Sequence, residues 1–550
     1  MSKAQFLMIQ GTHSDAGKSV LVTAFCRIFA QDGYRTAPFK SQNMALNSYV
    51  TLDGKEIGRA QGVQAEAACT IATTDMNPIL IKPSRDHESQ IVVHGKPYKN
   101  MQAGEYRETF YERGLNLIQQ SIQSLAQSFD RVVIEGAGSP AEINLNDREL
   151  VNMRVAELAD APVILVGDIE RGGVFASLVG TLQLLSPQQK ERVIGVIINK
   201  FHGDIKLLEP GLEWFENYTG KPVLGVIPYL PNLNIEAEDS LVLDHYDKGQ
   251  SDHISPTEGV SEHDTIDVVV IRYPKISNFT DVDPFRLEPD CRVRFITHAA
   301  DMGHPDVVIL PGSKNVLEDL IYLKDHGFIQ KLSSLYREQR TAIVGICGGY
   351  QMLGLTIADP HAVESTRVQE EALGFLPIKT TLTKEKTTIR SQGRLQFGHT
   401  SYDIEGYEIH MGLSEMVDRH THHNQPHQAH ILYDNQRGSA SSHFSPLIEM
   451  DGRGDGLKSV DERVWGTYFH GIFDNDHFRT GFLNERRACS GLPRKDEPSI
   501  LFQQLKSSAF DRLAAHVRSH VQLEVINKYM KNDDDIASKR GGKNMSVDNS

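Results

Sequence analysis

The sequence predicts an α/β protein in which two parallel-sheet domains follow one another along the chain. Short continuous runs of Val and Ile alternate with amphipathic segments, the pattern of buried parallel strands covered by helices on both faces. This pattern stops in an acidic, polar stretch near the middle of the chain and then begins again. In each half, one buried strand runs directly into a glycine-containing turn that carries chemically reactive side chains.

The composition is that of a globular protein with large cores. The chain has 550 residues, with 39% hydrophobic and 23% charged residues, which is ordinary for such proteins and is long enough for two to four domains. The net charge of −15 argues against nucleic acid as the main partner. The N-terminus lacks the pattern of a signal peptide, and no apolar run reaches the roughly 18 residues of a membrane span.

The cysteines indicate a reducing compartment, which predicts a cytoplasmic location. None of the five forms a CxxC pair, so neither a zinc site nor a disulfide framework is indicated. They are Cys26, Cys69, Cys291, Cys347 and Cys489.

The first domain is predicted to span residues 1–235. QFLMIQ at 5–10 forms a short strand, and SVLVTAFCRIFAQDG follows with helical spacing that ends at Gly33. Further strands are expected in RVVIEGAG at 131–138, APVILVGD at 161–168, RVIGVIINK at 192–200 and PVLGVIPYL at 222–230.

A second domain is predicted over 265–485, after an acidic linker at 236–264. Residues 486–530 are expected to be helical and to pack on this second domain, and the polar tail at 531–550 to be disordered. A His-rich stretch at 419–430 has no spacing of a defined metal site, so a surface insertion is favoured over a metal site. The strands are expected in TIDVVVIRYP at 265–274, PDVVILPGS at 305–313, TAIVGICGG at 341–349 and VWGTYFHGIF at 464–473.

The turn GTHSDAGKS at 11–19 is a candidate phosphate-binding loop of the P-loop type. It lies between a strand and a helix, where backbone N–H groups and the helix N-terminus favour anions. Lys18 can reach the β- and γ-phosphates, and the Ser19 hydroxyl can ligate Mg²⁺. The spacing departs from GxxxxGK[ST], because Thr12 occupies the usual first-glycine position ahead of Gly17.

Polar residues at other strand ends are candidates for the same site, because ligands bind at the carboxyl edge of open α/β sheets. Glu135 is the preferred metal ligand, since Gly-Ala-Gly follows it. Asp168 is a second metal candidate, with a helix cap or a loop ion pair as the alternative. Lys40 can contact a phosphate or an acyl phosphate. Asn199, with its neighbour Lys200, can contact the nucleotide base.

Cys347 is the candidate nucleophile of the second domain. In VGICGGYQMLG the strand AIVGI ends at this cysteine, and Gly348 and Gly349 open a helix. Such an elbow presents the thiol at a helix N-terminus, which favours the reactive thiolate, and the backbone N–H of Gly348 can stabilise an oxyanion. A buried structural cysteine is the alternative.

A thiolate nucleophile needs a base and an oxyanion site. His470, in GTYFHGIF, follows an apolar run and is the candidate base. His410, in GYEIHMG, competes with it on chemistry alone. The turn LPGSKN at 310–315 can supply a second oxyanion donor near Gly312 and Ser313.

The motifs PGSKN, GICGGYQMLG and GTYFHGIF together resemble a class I glutamine amidotransferase domain. The resemblance implies that Cys347 attacks glutamine and that His470 is its catalytic histidine. Many such domains carry a glutamate two residues after the histidine, where this chain has Ile472. The residue that orients His470 is therefore open, with Glu408 as a guess.

The N-terminal GTHSDAGKS, PFK and EGAG resemble the dethiobiotin synthetase-like ATPases. Together with KSQNMALNS at 40–48, EGAGSPAEINL at 135–145, GDIERGGVFAS at 167–177 and GYEIHMG at 406–412, they resemble the family of adenosylcobyric acid synthases across about residues 5–485.

This resemblance implies ATP and Mg²⁺ in the first domain and glutamine as the ammonia donor in the second. It implies a corrinoid substrate, adenosylcobyrinic acid a,c-diamide, amidated at its b, d, e and g carboxylates. Gln42, Asn43 and Arg171 are candidate contacts to that polycarboxylate. The alternatives are cobyrinic acid a,c-diamide synthesis, a ligase for another polyacid, and a partition-type ATPase fused to an inactive amidotransferase domain.

Overall fold

The structure is a computed structural model that describes residues 4–85, 88–235, 265–417, 443–450 and 452–530. The expected linker at 236–264, the His-rich stretch at 419–430 and the expected disordered tail at 531–550 lie outside the described residues.

The first domain is built on a fully parallel sheet, as the sequence predicts. Its strands lie in the order β12-β11-β10-β1-β9-β2. The smaller ladders β3-β6-β7-β8 and β4-β5 lie beside it. The strands are β1 Gln5–Gly11, β2 Thr36–Phe39, β3 Gln42–Met44, β4 Ser48–Val50, β5 Glu56–Gly58, β6 Ile79–Arg85, β7 Glu88–Val93, β8 Lys96–Gln102, β9 Arg131–Glu135, β10 Val163–Asp168, β11 Val193–Phe201 and β12 Val223–Pro228.

Helices cover both faces of this sheet, so its central strands are buried on both sides and read as continuous apolar runs. The register pairs Ile9 with Glu135 and Gly11 with Val166, which brings the ends of β1, β9 and β10 to one edge. The helices are α1 Lys18–Gln31, α2 Arg59–Ala67, α3 Ala103–Glu105, α4 Tyr111–Ser128, α5 Met153–Ala159, α6 Val174–Leu184, α7 Pro187–Arg192 and α8 Ile205–Thr219.

The second domain has a mixed sheet in the order β15-β13-β16-β18-β25-β24-β23-β21-β19-β20, with β22 joining β21 to β26. The first five strands are parallel and form the expected α/β core. The strands are β13 Ile266–Ile271, β14 Ile276–Ser277, β15 Cys291–Ile296, β16 Val307–Leu310, β17 Gly312–Ser313, β18 Ala342–Ile346, β19 Thr356–Ala358, β20 Gln369–Glu371, β21 Ile378–Phe397, β22 Thr400–Met416, β23 Phe444–Met450, β24 Arg453–Ser459, β25 Val464–Thr467 and β26 Phe469–His470.

The expectation that the C-terminal helices pack on the second domain is wrong for the last part of the chain. Helix α14 lies on the first domain, where Leu513 and Val517 join the core formed by α1. Arg27 pairs with Asp511 at 2.7 Å. The helices of this half are α9 Asp283–Leu287, α10 Val316–Asp325, α11 Phe328–Arg337, α12 Gly348–Met352, α13 Asp476–Cys489, α14 Phe502–His520 and α15 Leu523–Met530.

The β4-β5 ribbon of the first domain contacts the long hairpin of β21 and β22 in the second. The Arg390 guanidinium donates to the Tyr49 hydroxyl at 2.8 Å and to the Val50 carbonyl at 2.9 Å. The Val50 side chain packs with Tyr407 and Ile409. The β4-β5 ribbon of the first domain therefore contacts strand β22 of the second domain, which lies beside Cys347.

Candidate active site

The turn at Cys347 is a strained elbow between β18 and α12. Cys347 has φ 53° and ψ −108°, a backbone conformation that is unusual for any residue but glycine. The two glycines after it are needed for close packing: a Cβ at Gly348 would lie 2.8 Å from the Ser313 amide nitrogen, and one at Gly349 would collide with the Leu310 carbonyl. The sulfur lies 3.5 Å from the Ile409 carbonyl oxygen and is almost fully buried.

His470 lies beside this sulfur and is held from behind by Asp281. The imidazole Nδ1 is 2.7 Å from the Asp281 carboxylate, and the Gly471 N–H donates to the same carboxylate at 2.9 Å. Burial acts to lower the pKa of His470, but Asp281 and the hydrogen-bonded Cys347 outweigh it and raise the pKa to about 10. The imidazole is therefore a cation at neutral pH, and a cation there stabilises negative charge on the neighbouring sulfur.

The predicted oxyanion residues lie against the elbow. Strand β17, Gly312–Ser313, pairs antiparallel with Ile276–Ser277, which fixes its backbone next to Gly348. The Ser313 hydroxyl donates to Asp319 at 2.6 Å, so this side chain points away from an incoming substrate. The backbone N–H groups of Ser313 and Gly348 lie next to each other at the elbow and are the candidate oxyanion donors. Those of Lys314 and Asn315 already donate to the Lys275 carbonyl and the Ser313 hydroxyl.

Glu408, the residue guessed to orient His470, has a different role. Its carboxylate accepts from Ser391 at 2.8 Å and from the Arg453 guanidinium. His410 also lines the pocket of the thiol, but it stacks on the Tyr468 ring at 3.8 Å, and its Nδ1 lies 2.8 Å from the Gly412 carbonyl. The geometry therefore favours His470 over His410 as the base.

Asp281 is a functional residue that the sequence reading missed. It lies in NFTDVDPF, about 190 residues before His470 along the chain, in a short 3₁₀ turn after β14. The available signal was a run of polar residues following the first strands of the second domain. That signal does not separate Asp281 from Asp283, since only the fold decides which carboxylate turns inward.

The turn at 11–19 wraps around the side chain of Lys18. The Lys18 ammonium donates to the His13 carbonyl at 2.8 Å, and the Thr12 hydroxyl is buried with no hydrogen-bond partner among the described residues. Gly17 has φ 95°, and a Cβ there would collide with the Asn199 side-chain amide. Asn199 donates to the Ala16 carbonyl at 3.1 Å, so it supports the loop from the neighbouring strand end.

Glu135 is the centre of a buried polar cluster at the N-terminus of α1. One carboxylate oxygen accepts from Ser19 at 2.8 Å and from Lys40 at 2.9 Å, and the other accepts from Gln64 at 2.6 Å. The pKa of Glu135 is lowered, because these donors outweigh the effect of burial. A hydroxyl and an ionised carboxylate in contact are hard oxygen ligands of the kind Mg²⁺ takes beside phosphates.

Asp168 has different partners from those of this cluster. Its carboxylate pairs with Lys200 at 2.8 Å and accepts from the Glu170 N–H at 2.8 Å. The structure thus brings Ser19 and Glu135 together but holds Asp168 in a loop ion pair, the alternative weighed for it from the sequence. Across the described ranges, no group of three or more His, Cys, Asp and Glu side chains forms a metal-binding cluster.

Comparisons with known proteins identify both domains. Residues 7–242 match the CobQ/CobB/MinD/ParA nucleotide-binding domain, and residues 267–478 match the CobB/CobQ-like glutamine amidotransferase domain. A cobyric acid synthase of Geobacillus kaustophilus is 58% identical over 533 residues, covering 96% of this chain and 98% of that protein. The chain belongs to the cobyric acid synthase family.

More distant members of the cobyric acid synthase family align over the same length. The cobyric acid synthase of Desulforamulus reducens is 47% identical, covering 96% of this chain and 99% of its own. That of Yersinia enterocolitica is 45% identical, covering 96% of this chain and 98% of its own. Both family domains are therefore present, and the chain has the make-up of a glutamine-dependent, ATP-using ligase.

The residues considered for corrinoid contacts in this cobyric acid synthase family member lie in different surroundings. Asn43 is buried, and its amide donates to Gln61 at 3.0 Å. Gln42 accepts from the Tyr106 hydroxyl at 2.5 Å. Arg171 is half exposed and pairs with Asp15 of the phosphate loop at 3.0 Å, so its guanidinium lies beside that loop.

Among the described helices, none is both long and apolar enough to cross a bilayer.

Proposed function

We propose that this protein amidates adenosylcobyrinic acid a,c-diamide at its b, d, e and g carboxylates, using Mg·ATP and glutamine. The observation that supports it is that both half-reactions have a site in one chain. Cys347, His470 and Asp281 are arranged for glutamine hydrolysis, and Lys18, Ser19 and Glu135 for phosphate chemistry.

In the glutaminase half-reaction, the Cys347 sulfur attacks the side-chain amide carbon of glutamine. The carbonyl electrons move to oxygen, where the N–H groups near Ser313 and Gly348 stabilise the charge. His470 gives its proton to the departing nitrogen, so ammonia leaves and a thioester remains. Water then adds to the thioester carbon with His470 as the base, which releases glutamate and the free thiol.

In the synthetase half-reaction, a corrinoid carboxylate oxygen attacks the γ-phosphorus of Mg·ATP, and ADP leaves. Lys18 would stabilise the negative charge on the transferred phosphoryl group. Ser19 and Glu135 would bind the Mg²⁺ ion that enters with the nucleotide. Ammonia attacks the acyl phosphate carbon, inorganic phosphate leaves, and an amide remains. Lys40, which contacts Glu135, keeps that carboxylate ionised.

We also propose that the protein acts in the cytoplasm. ATP and glutamine are substrates drawn from that compartment, and a nucleophilic thiol must stay reduced to work.

The test is to incubate the protein with the corrinoid diamide, Mg·ATP and either glutamine or ammonium chloride, and to follow the corrinoid by mass spectrometry. The wild type should form the tetra-amidated product from either nitrogen source. Cys347→Ala should lose glutamine-driven amidation and keep ammonia-driven amidation. Failure of the wild type to amidate the diamide with either source would refute the corrinoid assignment.

A Glu135→Gln variant tests whether the two half-reactions take place at separate sites. It should keep glutaminase activity and lose amidation with both nitrogen sources, because only the synthetase half-reaction uses Glu135. Cys347→Ala that lost both activities while folded would contradict the assignment of the two half-reactions to separate sites.

A further inference from the structure

The pocket at Cys347 carries an unusual number of charged side chains for its size. Three lysines line it, Lys82 from the first domain and Lys314 and Lys386 from the second. One carboxylate, Glu364, lines it as well. All four are largely buried, so each charge needs a counter-charge nearby.

Two of the three lysines are already satisfied by Glu56, which lies behind the pocket wall. The Lys82 ammonium contacts one Glu56 oxygen at 2.6 Å and the Ser48 hydroxyl at 2.7 Å. The Lys386 ammonium pairs with the other Glu56 oxygen. Glu56 is fully buried, and both lysines hold its pKa well below the usual range against the effect of burial. The charges of Lys82 and Lys386 are thus already paired with the Glu56 carboxylate.

Lys314 differs from them. It is only 8% exposed, and nothing in the described parts of the chain forms a hydrogen bond or ion pair with its ammonium group. Burial lowers the pKa of Lys314, while Glu364 at longer range opposes that change. A buried amine with no partner costs stability, and such a group is expected where a ligand supplies the missing anion.

The position of Lys314 suits one part of glutamine. It directly follows Ser313, whose backbone lies at the oxyanion position, so the two Cα atoms are about 3.8 Å apart. From there a flexible lysine stem extends into the same pocket. A glutamine whose amide carbon lies at Cys347 must place its α-carbon end elsewhere in the same pocket, which Lys314 and Glu364 also line.

We propose that Lys314 binds the α-carboxylate of glutamine and that Glu364 faces its α-ammonium group. This inference rests on the proposed glutaminase function and adds the specificity element: the preferred substrate is a γ-carboxamide that carries a free α-carboxylate. The Lys314 ammonium and the Glu364 carboxyl group then face the two charged groups of the zwitterion, while Lys82 and Lys386 bind Glu56 in the pocket wall.

The test compares two amides in the full-length protein: glutamine, and 4-aminobutanamide, which is glutamine without the α-carboxylate. Ammonia release is measured as kcat/KM for the wild type and Lys314→Met. Loss of a hydrogen bond to a charged group should lower kcat/KM for glutamine by about 10- to 150-fold in the variant. Activity on 4-aminobutanamide should change by less than about threefold, since the contact is already absent there.

Two further variants make the result specific. Lys386→Met removes a lysine of the same pocket that Glu56 already binds, and it should keep the wild-type preference for glutamine over 4-aminobutanamide. Lys314→Arg should restore part of that preference. A Lys314→Met protein that loses activity equally on both amides would overturn the proposal, because the residue would then support the pocket without touching the carboxylate.

The outcome is separable from failure of the glutaminase itself. If the wild type releases no ammonia from glutamine, the proposed glutaminase function itself is wrong. If the wild type hydrolyses glutamine and Lys314→Met keeps the full preference between the two amides, only the assignment of Lys314 is wrong.

Discussion

At the level of single residues, the base of the glutaminase site depends on a carboxylate that is distant in sequence. Asp281 binds Nδ1 of His470, which leaves Nε2 as the nitrogen directed at the pocket. Nε2 lies 3.5 Å from the side-chain amide of Asn278, itself held by the Ser48 N–H of the first domain at 3.0 Å. The imidazole is thus held by Asp281 and lies next to Asn278, and the first domain reaches it indirectly, through the hydrogen bond from Ser48 to Asn278.

Asp281→Asn should lower glutaminase kcat by about 10³- to 10⁴-fold, the range seen when a triad carboxylate is neutralised. It should also move the loss of activity at high pH to lower pH. His470 must carry a proton to release ammonia, and its pKa of about 10 depends on Asp281 opposing burial. Without that charge the pKa falls and the proton is lost earlier as pH rises. The measurement is the pH profile of ammonia release.

Asp283→Asn is the matched control, because its carboxylate pairs with Arg286 at 3.4 Å and does not contact His470. An alkaline limit that stays in place in Asp281→Asn would contradict the assigned role. Ammonia-driven amidation should be retained in both variants.

Some residues of this site can be identified from a short sequence motif, and others cannot. Cys347 and His470 were predictable because each sits in a short motif at a strand end, where the neighbouring glycines reveal the turn. Asp281 has no such signal, since its place beside His470 arises only when β14 and β26 come together. Lys314 lies in the PGSKN motif, but the motif does not show that its side chain lines the pocket. Many class I amidotransferase domains carry a glutamate where this chain has Ile472, and here the carboxylate at His470 is that of Asp281.

At the level of elements, the phosphate loop depends on one glycine. Gly17 combines φ 95° with contact to the Asn199 amide, so any side chain there is both strained and in collision. Gly17→Ala should weaken ATP binding by at least about tenfold, since loop displacement would cost 1–3 kcal/mol of strain or misplacement. Isothermal titration calorimetry would measure it.

Gly180→Ala provides the control within the same domain. Gly180 lies in α6 with open space at its Cβ, so the change should leave ATP affinity unaltered and favour the helix slightly. Unchanged affinity in Gly17→Ala would mean that the loop does not bind the nucleotide in this conformation.

Helix α10 stabilises the oxyanion turn through a second buried carboxylate. Burial raises the pKa of Asp319 to about 7, although the Ser313 hydroxyl and the Lys275 N–H both act to lower it. Because the unfolded value is about 3.9, the folded protein retains this proton over a range where the unfolded chain has lost it. Its contribution to stability is therefore full below about pH 4 and is lost as pH rises towards 7, in total about 4 kcal/mol.

Asp319→Asn should remove that dependence, because an amide does not titrate. The melting temperature of the variant should fall less than that of the wild type between about pH 4 and about pH 7. Asp325→Asn, on the exposed end of the same helix, should follow the wild type. Parallel curves for Asp319→Asn and the wild type would show that Asp319 does not hold its proton in the folded state.

The elements themselves were largely predictable, and their packing less so. The apolar runs that predict strands lie in β1, β9, β10, β11 and β12 of the first domain and in β13, β16, β18 and β25 of the second. Helix α14 shows the limit. From the sequence alone, the apolar face of this helix could pack on either domain. Its position on α1 depends on contacts such as the ion pair of Arg27 with Asp511. Amphipathic spacing identifies a face but not its partner.

At the level of the whole molecule, the interface between the domains is also a wall of the glutaminase pocket. Glu56 of the first domain binds Lys82 of the same domain and Lys386 of the second, and Lys82 lines the pocket of Cys347. From Glu56 the chain continues through β5 into α2, where Gln64 contacts Glu135. The nine residues from Glu56 to Gln64 thus contact residues of both candidate sites, the pocket lysines at one end and Glu135 at the other.

Glu56→Gln should weaken the coupling of the two half-reactions. Removing one partner of a buried ion cluster leaves lysines uncompensated and typically costs about 3–5 kcal/mol, here at the joint between the domains. Ammonia formed at Cys347 should then escape to solvent more often, so glutamate release should exceed amide formation, whereas the wild type should release them in nearly equal amounts. Glutamate and amidated corrinoid are measured in the same reaction.

Asp53→Asn is the control, because Asp53 forms an exposed ion pair with Lys55 in the neighbouring turn. This variant should still release glutamate and form amide in nearly equal amounts. Equal yields in Glu56→Gln would mean that the ion cluster stabilises the fold but does not affect the transfer of ammonia between the sites.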